Sequence, residues 1–73
     1  MTIRELFWYN DALVEGTLFT LWDDEGDYKE YSQPMYQANY YELPPFYKDQ
    51  VVKEFRLNTN IYTNLARDAH ILI

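Results

Sequence analysis

The stretch from Ala12 to Trp22, ALVEGTLFTLW, is the longest part of the chain that reads as extended backbone. Successive side chains of a strand alternate between faces. Val14, Gly16, Leu18, Thr20 and Trp22 therefore share one face, and Leu13, Glu15, Thr17, Phe19 and Leu21 the other. Both faces are partly apolar, which predicts a central strand covered on two sides. Gly16 predicts a bulge or a close packing contact within it. The run Asp23-Asp24-Glu25-Gly26-Asp27 follows with turn chemistry, and residues 28–32, YKEYS, read as the returning strand of a hairpin.

Towards the N-terminus, Thr2 stands three residues before Glu5, the spacing of a capping box. Ile3, Leu6 and Phe7 fall at i, i+3 and i+4, so a short helix with one apolar face is predicted there, ended by Asn10-Asp11. Towards the C-terminus, Pro34 excludes a central strand from residues 33–42, leaving an edge strand or an irregular segment. Leu43-Pro44-Pro45-Phe46-Tyr47-Lys48-Asp49 reads as a turn entering a short helical turn. Residues 51–57, VVKEFRL, alternate as a strand, and Asn58-Thr59-Asn60 as a turn. The stretch 61–68 fits strand or loop, and Ala69 to Ile73 reads as the last strand. The expected fold is α+β, with a short N-terminal helix packed on an antiparallel sheet of about four strands. Residues 1–73 are expected to form a single small domain.

With 73 residues, such a domain buries only roughly 60% of the surface its unfolded chain exposes. There is no cysteine to staple it. Two Trp, eight Tyr and four Phe take that role, since each aromatic buries on the order of 150–250 Å². The opening residues do not read as a signal peptide, and no apolar run reaches the ~20 residues of a membrane-spanning helix. The expected location is the cytoplasm.

Twelve acidic and six basic side chains give a net charge of −6. The acidity belongs to the front: residues 1–45 hold nine acids and two bases, whereas residues 46–73 hold three acids and four bases. A chain so poor in Lys and Arg is a weak ligand for nucleic acid or an anionic membrane. It suits basic partners instead. The acids are densest at 23–27, where four of five residues are acidic. That tip is either a solvated turn that keeps the sheet edge unpaired or an acidic surface that docks on a basic groove. A calcium loop fails on spacing: with Asp23 at position one, Gly26 falls at four rather than six, and Pro34 occupies position twelve.

Tyr28, Tyr31, Tyr36, Tyr40, Tyr41 and Tyr47 crowd a short window with Met35 and Phe46. A small core cannot hold them all and satisfy every hydroxyl, so some face solvent. Tyrosine is a good strand former and also an interface residue. Acid and tyrosine mixed between Asp23 and Tyr47 read as a protein-binding surface. The candidate contact residues are Asp23, Asp24, Glu25, Asp27, Tyr28, Glu30, Tyr31 and Tyr36.

Catalytic patterns do not emerge. There is no Cys, a single Ser (Ser32) and a single His (His70), which is expected as a surface or edge residue. No phosphate-binding glycine loop, paired-cysteine or zinc-protease motif occurs. No catalytic residue, metal or cofactor is expected, and an enzyme is disfavoured.

The MTIREL start and the later Leu43-Pro44, Tyr47, Asp49 and Val51-Val52 make the chain similar to a loose group of small proteins of phages and mobile elements in Gram-positive bacteria. Size, acidity and the lack of catalytic residues also resemble, by type and without a shared motif, phage anti-defence inhibitors, above all anti-CRISPR proteins. That resemblance implies a protein that mimics nucleic acid and blocks a basic site on a host nuclease such as a Cas effector. The expected partner is thus a basic nucleic-acid-binding protein of the host, met by a monomer or homodimer. The alternative is a small structural or regulatory homo-oligomer that hides its aromatic strip against a copy of itself.

Overall fold

The computed structural model of the chain describes residues 1–23 and 33–73. Helix α1 (Ile3–Trp8) is followed by strands β1 (Leu18–Trp22) and β2 (Tyr36–Asn39) and a 3-10 turn at Tyr40–Glu42. A short helix α2 (Pro45–Lys48) and strands β3 (Glu54–Thr59) and β4 (Ala66–Leu72) complete the chain. The α+β class holds, with a short N-terminal helix and a four-stranded sheet.

The strand order is β2-β1-β4-β3. β1 is central, as its two apolar faces predict. The sheet is mixed rather than wholly antiparallel: β1 pairs with β2 and β3 with β4 antiparallel, but β1 and β4 run parallel, with Phe19 opposite Ala69 and Leu21 opposite Ile71. Side-chain alternation fixes faces, not the direction of the neighbouring strand, so this pairing leaves no mark on the sequence pattern.

Two cross-strand sets follow from the register. Phe19, Leu21, Ala38, Ala69 and Ile71 share the face that packs with Ile3 and Leu6 of α1, and all are buried. The opposite face carries Thr20, Trp22, Asp68 and His70. Helix α1 begins as its sequence predicts. Thr2 Oγ1 accepts from the Glu5 N–H at 3.1 Å, and Glu5 Oε1 accepts from the Thr2 N–H at 3.0 Å.

The strand expected over 12–22 is shorter. Residues before Leu18 turn instead, because their side chains compete for the backbone. Asn10 Oδ1 accepts from the Ala12 N–H at 3.1 Å. The fully buried Thr17 hydroxyl accepts from the Val14 N–H at 3.1 Å and donates to the Ala66 carbonyl at 2.7 Å. Gly16 is neither a bulge nor a close contact, since nothing lies within 4 Å of where a Cβ would stand. The returning strand expected at 28–32 lies outside the described residues. The strand that pairs antiparallel with β1 is β2, in the segment read as edge strand or irregular. The ambiguous stretch 61–68 resolves into a turn and the start of β4. Asn64 takes a left-handed backbone there with φ 60, and the Asn60 N–H donates to the Leu65 carbonyl at 2.8 Å. No helix among the described residues is long and apolar enough to cross a membrane.

Candidate functional site

Of the eight residues read as a contact surface, Asp24, Glu25, Asp27, Tyr28, Glu30 and Tyr31 lie outside the described residues. Asp23 follows β1 and is exposed. Tyr36 is half-buried on β2, its ring 5.0 Å from that of Tyr47. Asp23 and Tyr36 stand at the same end of the β1–β2 pair, where Leu21 opposes Tyr36.

A second surface forms where α1 meets the 3-10 turn. The Phe7 ring stacks on that of Tyr40 at 3.9 Å with an interplanar angle of 1°. Trp8 and Tyr41 meet Phe7 edge-on, each at 6.0 Å between ring centroids. Tyr40 is buried beneath this cluster, but Trp8 is 66% and Tyr41 60% exposed. Tyr9 beside them is also exposed. The helix explains the split. Ile3, Leu6 and Phe7 make its inward face, and the next residue, Trp8, is rotated by about 100° off that face. Tyr41 departs from Tyr40 in the same way on the 3-10 turn.

Charge surrounds these rings. Lys48 Nζ lies 4.5 Å above the centre of the Tyr40 ring, a cation–π contact. Arg4 Nε donates to Asp49 Oδ1 at 3.0 Å, and this hydrogen bond raises the Arg4 pKa above its ordinary value. Glu42, next to Tyr41, and Asp11, shortly after Tyr9, are exposed carboxylates with no ion pair among the described residues. Glu5 is held below the usual carboxylate range, first by the Thr2 backbone N–H that its carboxylate accepts.

The MTIREL start and the 43–52 stretch meet one another here. The Ile3 N–H donates to the Gln50 carbonyl at 3.3 Å and the Val52 N–H to the Met1 carbonyl at 2.7 Å. Thr2 forms a single antiparallel bridge with Val51. The MTIREL start and the 43–52 stretch are thus two halves of one packing unit. In this chain their pairing has a structural explanation that requires no binding role.

The face of the sheet opposite α1 carries a polar row. Trp22 Nε1 donates to His70 Nδ1 at 3.1 Å, and the two rings stack with centroids 6.1 Å apart. His70 Nε2 lies 3.3 Å from Asp68 Oδ1, which also accepts from Asn58 Nδ2. His70 is therefore neither at a sheet edge nor fully exposed, in contrast to its sequence reading: β4 is an inner strand and the side chain is 20% exposed. Its partner, Trp22, comes from a strand 48 residues away in sequence, which no local pattern signals.

Comparison of the chain with protein-family models, curated proteins and solved structures finds no match. The geometry alone must carry the reading. Among the described residues there is no cavity and no cluster of three or more His, Cys, Asp or Glu placed to hold a metal. Small-molecule sites are concave and enclosed. What the described surface offers is large exposed aromatic rings beside carboxylates that have no ion pair among the described residues. Exposed rings of this kind offer apolar and cation–π contact, and carboxylates are the groups that pair with Arg or Lys. Trp8 and Tyr9 were not singled out by sequence reasoning, whereas Tyr41 belongs to the crowded tyrosines noted there. The signal for Trp8 was available in the phase of α1, which leaves it without an inward position.

Proposed function

We propose that this chain is a non-enzymatic binding protein that inhibits a basic nucleic-acid-binding protein of a host cell. It acts as a phage or mobile-element product against a nuclease such as a Cas effector. The observation that carries the reading is the exposed pair Trp8 and Tyr41, set beside Glu42, which has no ion pair among the described residues, on a chain of net charge −6. Exposed Trp and Tyr at this density are common in interfaces and uncommon on inert surfaces. The charge selects the partner's sign. A basic groove built for phosphates attracts a carboxylate-rich surface over a Debye length of about 10 Å at moderate salt, and the aromatics then hold it at contact range. By their charge, the acids from Asp23 to Glu30 suit the same kind of partner, and with Tyr28, Tyr31 and Tyr36 they belong to the proposed contact residues.

The testing experiment is capture from host lysate with the tagged chain, eluted by rising salt. Recovery of a basic nucleic-acid enzyme that DNA competes away supports the reading. Capture of neutral or acidic proteins alone, or partners indifferent to DNA, removes it. A host cytoplasmic location accompanies this proposal.

A further inference from the structure

We infer that His70 is a proton-operated latch on Trp22. When the imidazole takes a second proton from water, at Nδ1, the bond from the indole N–H is lost and the indole swings out to solvent, while the imidazolium stays on Asp68. The two rings belong to the inner strands β1 and β4 and meet on the face of the sheet opposite α1. Trp22 is 7% exposed, so its indole is packed away from water. An indole N–H is a donor only, and its acceptor is His70 Nδ1 at 3.1 Å. A neutral imidazole has one acceptor nitrogen, and here it is committed to Trp22.

The imidazolium has no acceptor, because both nitrogens carry protons. The two sides of the ring respond differently. Nε2 already faces Asp68 Oδ1 at 3.3 Å, so protonation turns that contact into a charge-assisted one. Asp68 is itself fixed by Asn58 Nδ2, reaching across from β3. Nδ1 instead sets its new N–H against the indole N–H, donor to donor. A buried donor that loses its acceptor bears its full desolvation cost. The ring is therefore retained by the carboxylate and the indole yields. The movement is one of a side chain and not of the strand, since the Ile73 N–H donates to the Trp22 carbonyl at 2.9 Å in either state. The other charged groups near this face are Glu54 and Arg56 on β3, with Arg56 directly opposite His70, and Asp23 just past β1. On β1 and β2 the face carries Thr20, Trp22, Gln37 and Asn39, all uncharged. The charges are present in both states of the latch, whereas the donor conflict at Nδ1 exists only in the imidazolium.

Histidine is the side chain whose charge ordinarily changes between about pH 5 and 8. The latch is closed on the neutral side of that change and opens as pH falls through it. The inference is independent of which partner the chain binds. Its test is a pH titration of Trp8→Phe, in which Trp22 is the sole tryptophan. Trp8 is 66% exposed, so this variant keeps the fold. The His70 ring nitrogens, the Trp22 indole N–H and the Trp22 emission wavelength are followed together with circular dichroism. As Nδ1 gains its proton, the indole N–H signal should move upfield and the emission to longer wavelength. Both should share the midpoint of the imidazole and leave the circular dichroism unchanged. His70→Gln in the same background offers an acceptor without a titrating proton, so its Trp22 signals should stay flat over that range. If His70→Gln does not fold, the shared midpoint in Trp8→Phe decides alone. An imidazole that gains its proton with Trp22 unmoved, a His70 that stays neutral until the chain unfolds, Trp22 exposure that comes only with loss of circular dichroism, or the same transition in folded His70→Gln would each overturn the inference.

Discussion

The indole N–H of Trp22 donates to Nδ1 of His70 across the parallel pair β1–β4, at 3.1 Å. Because Nδ1 accepts, the neutral imidazole carries its proton on Nε2, which faces Asp68. Tautomer is fixed by such a neighbour. Long-range nitrogen–proton correlation should report an Nε2–H tautomer in the wild type. Trp22→Phe keeps the stacking but removes the donor, and should lower stability by about 1 kcal/mol in a denaturant titration. A wild-type His70 in the Nδ1–H form would contradict the arrangement.

Thr17 ties the loop before β1 to the start of β4. Its hydroxyl bonds to Ala66 and Val14 are buried, and Thr17→Val preserves shape while leaving both partners unsatisfied. The expected loss is about 1–3 kcal/mol, a large share of the stability of so small a domain. A thermal melt unchanged from wild type would show that the turn holds without the hydroxyl.

The capping box gives a pH signature. Glu5 accepts the Thr2 N–H, so its carboxyl titrates lower in the folded chain than in the unfolded one. The stabilisation is complete above the unfolded-state value and is lost as pH falls through the lowered folded value. The stability gap between wild type and Glu5→Gln should be widest near neutrality and close on acidification. Thr2→Ala should cost about 1 kcal/mol at neutral pH. A gap that grows in acid would reverse the assignment.

Trp8 and Tyr41 are mostly exposed, so the double variant Trp8→Ala/Tyr41→Ala should keep the native circular dichroism and lose binding to the partner protein. Interface aromatics of this kind lose more than 1 kcal/mol each when truncated at a binding centre. Full binding by the double variant would confine recognition to the acidic segment.

Local signals in the sequence were the most faithful guides to this fold. The Thr2–Glu5 spacing, the Ile3–Leu6–Phe7 face and the prolines at the start of α2 each act within one turn of backbone. The β3 alternation is visible, and β4 appears in its last residues, Ala69 to Leu72. What stayed hidden depends on distant partners. The parallel β1–β4 pairing and the Trp22–His70 bond join segments nearly fifty residues apart. Residues 12–17 read as strand from their alternation, yet Asn10 and Thr17 divert that backbone with side-chain hydrogen bonds. For the candidate site, the acid-rich run and the tyrosine crowding were evident, whereas Trp8 became visible as a surface residue only once α1 had a defined phase.

The most direct test is the affinity of the chain for the captured basic protein, measured at low and high salt with and without competing DNA, for wild type and for Asp24→Lys/Asp27→Lys. Mimicry of nucleic acid predicts binding that falls steeply with salt, is displaced by DNA and is largely lost in the charge-reversed variant. Affinity that is indifferent to salt, to DNA and to both reversals would contradict it.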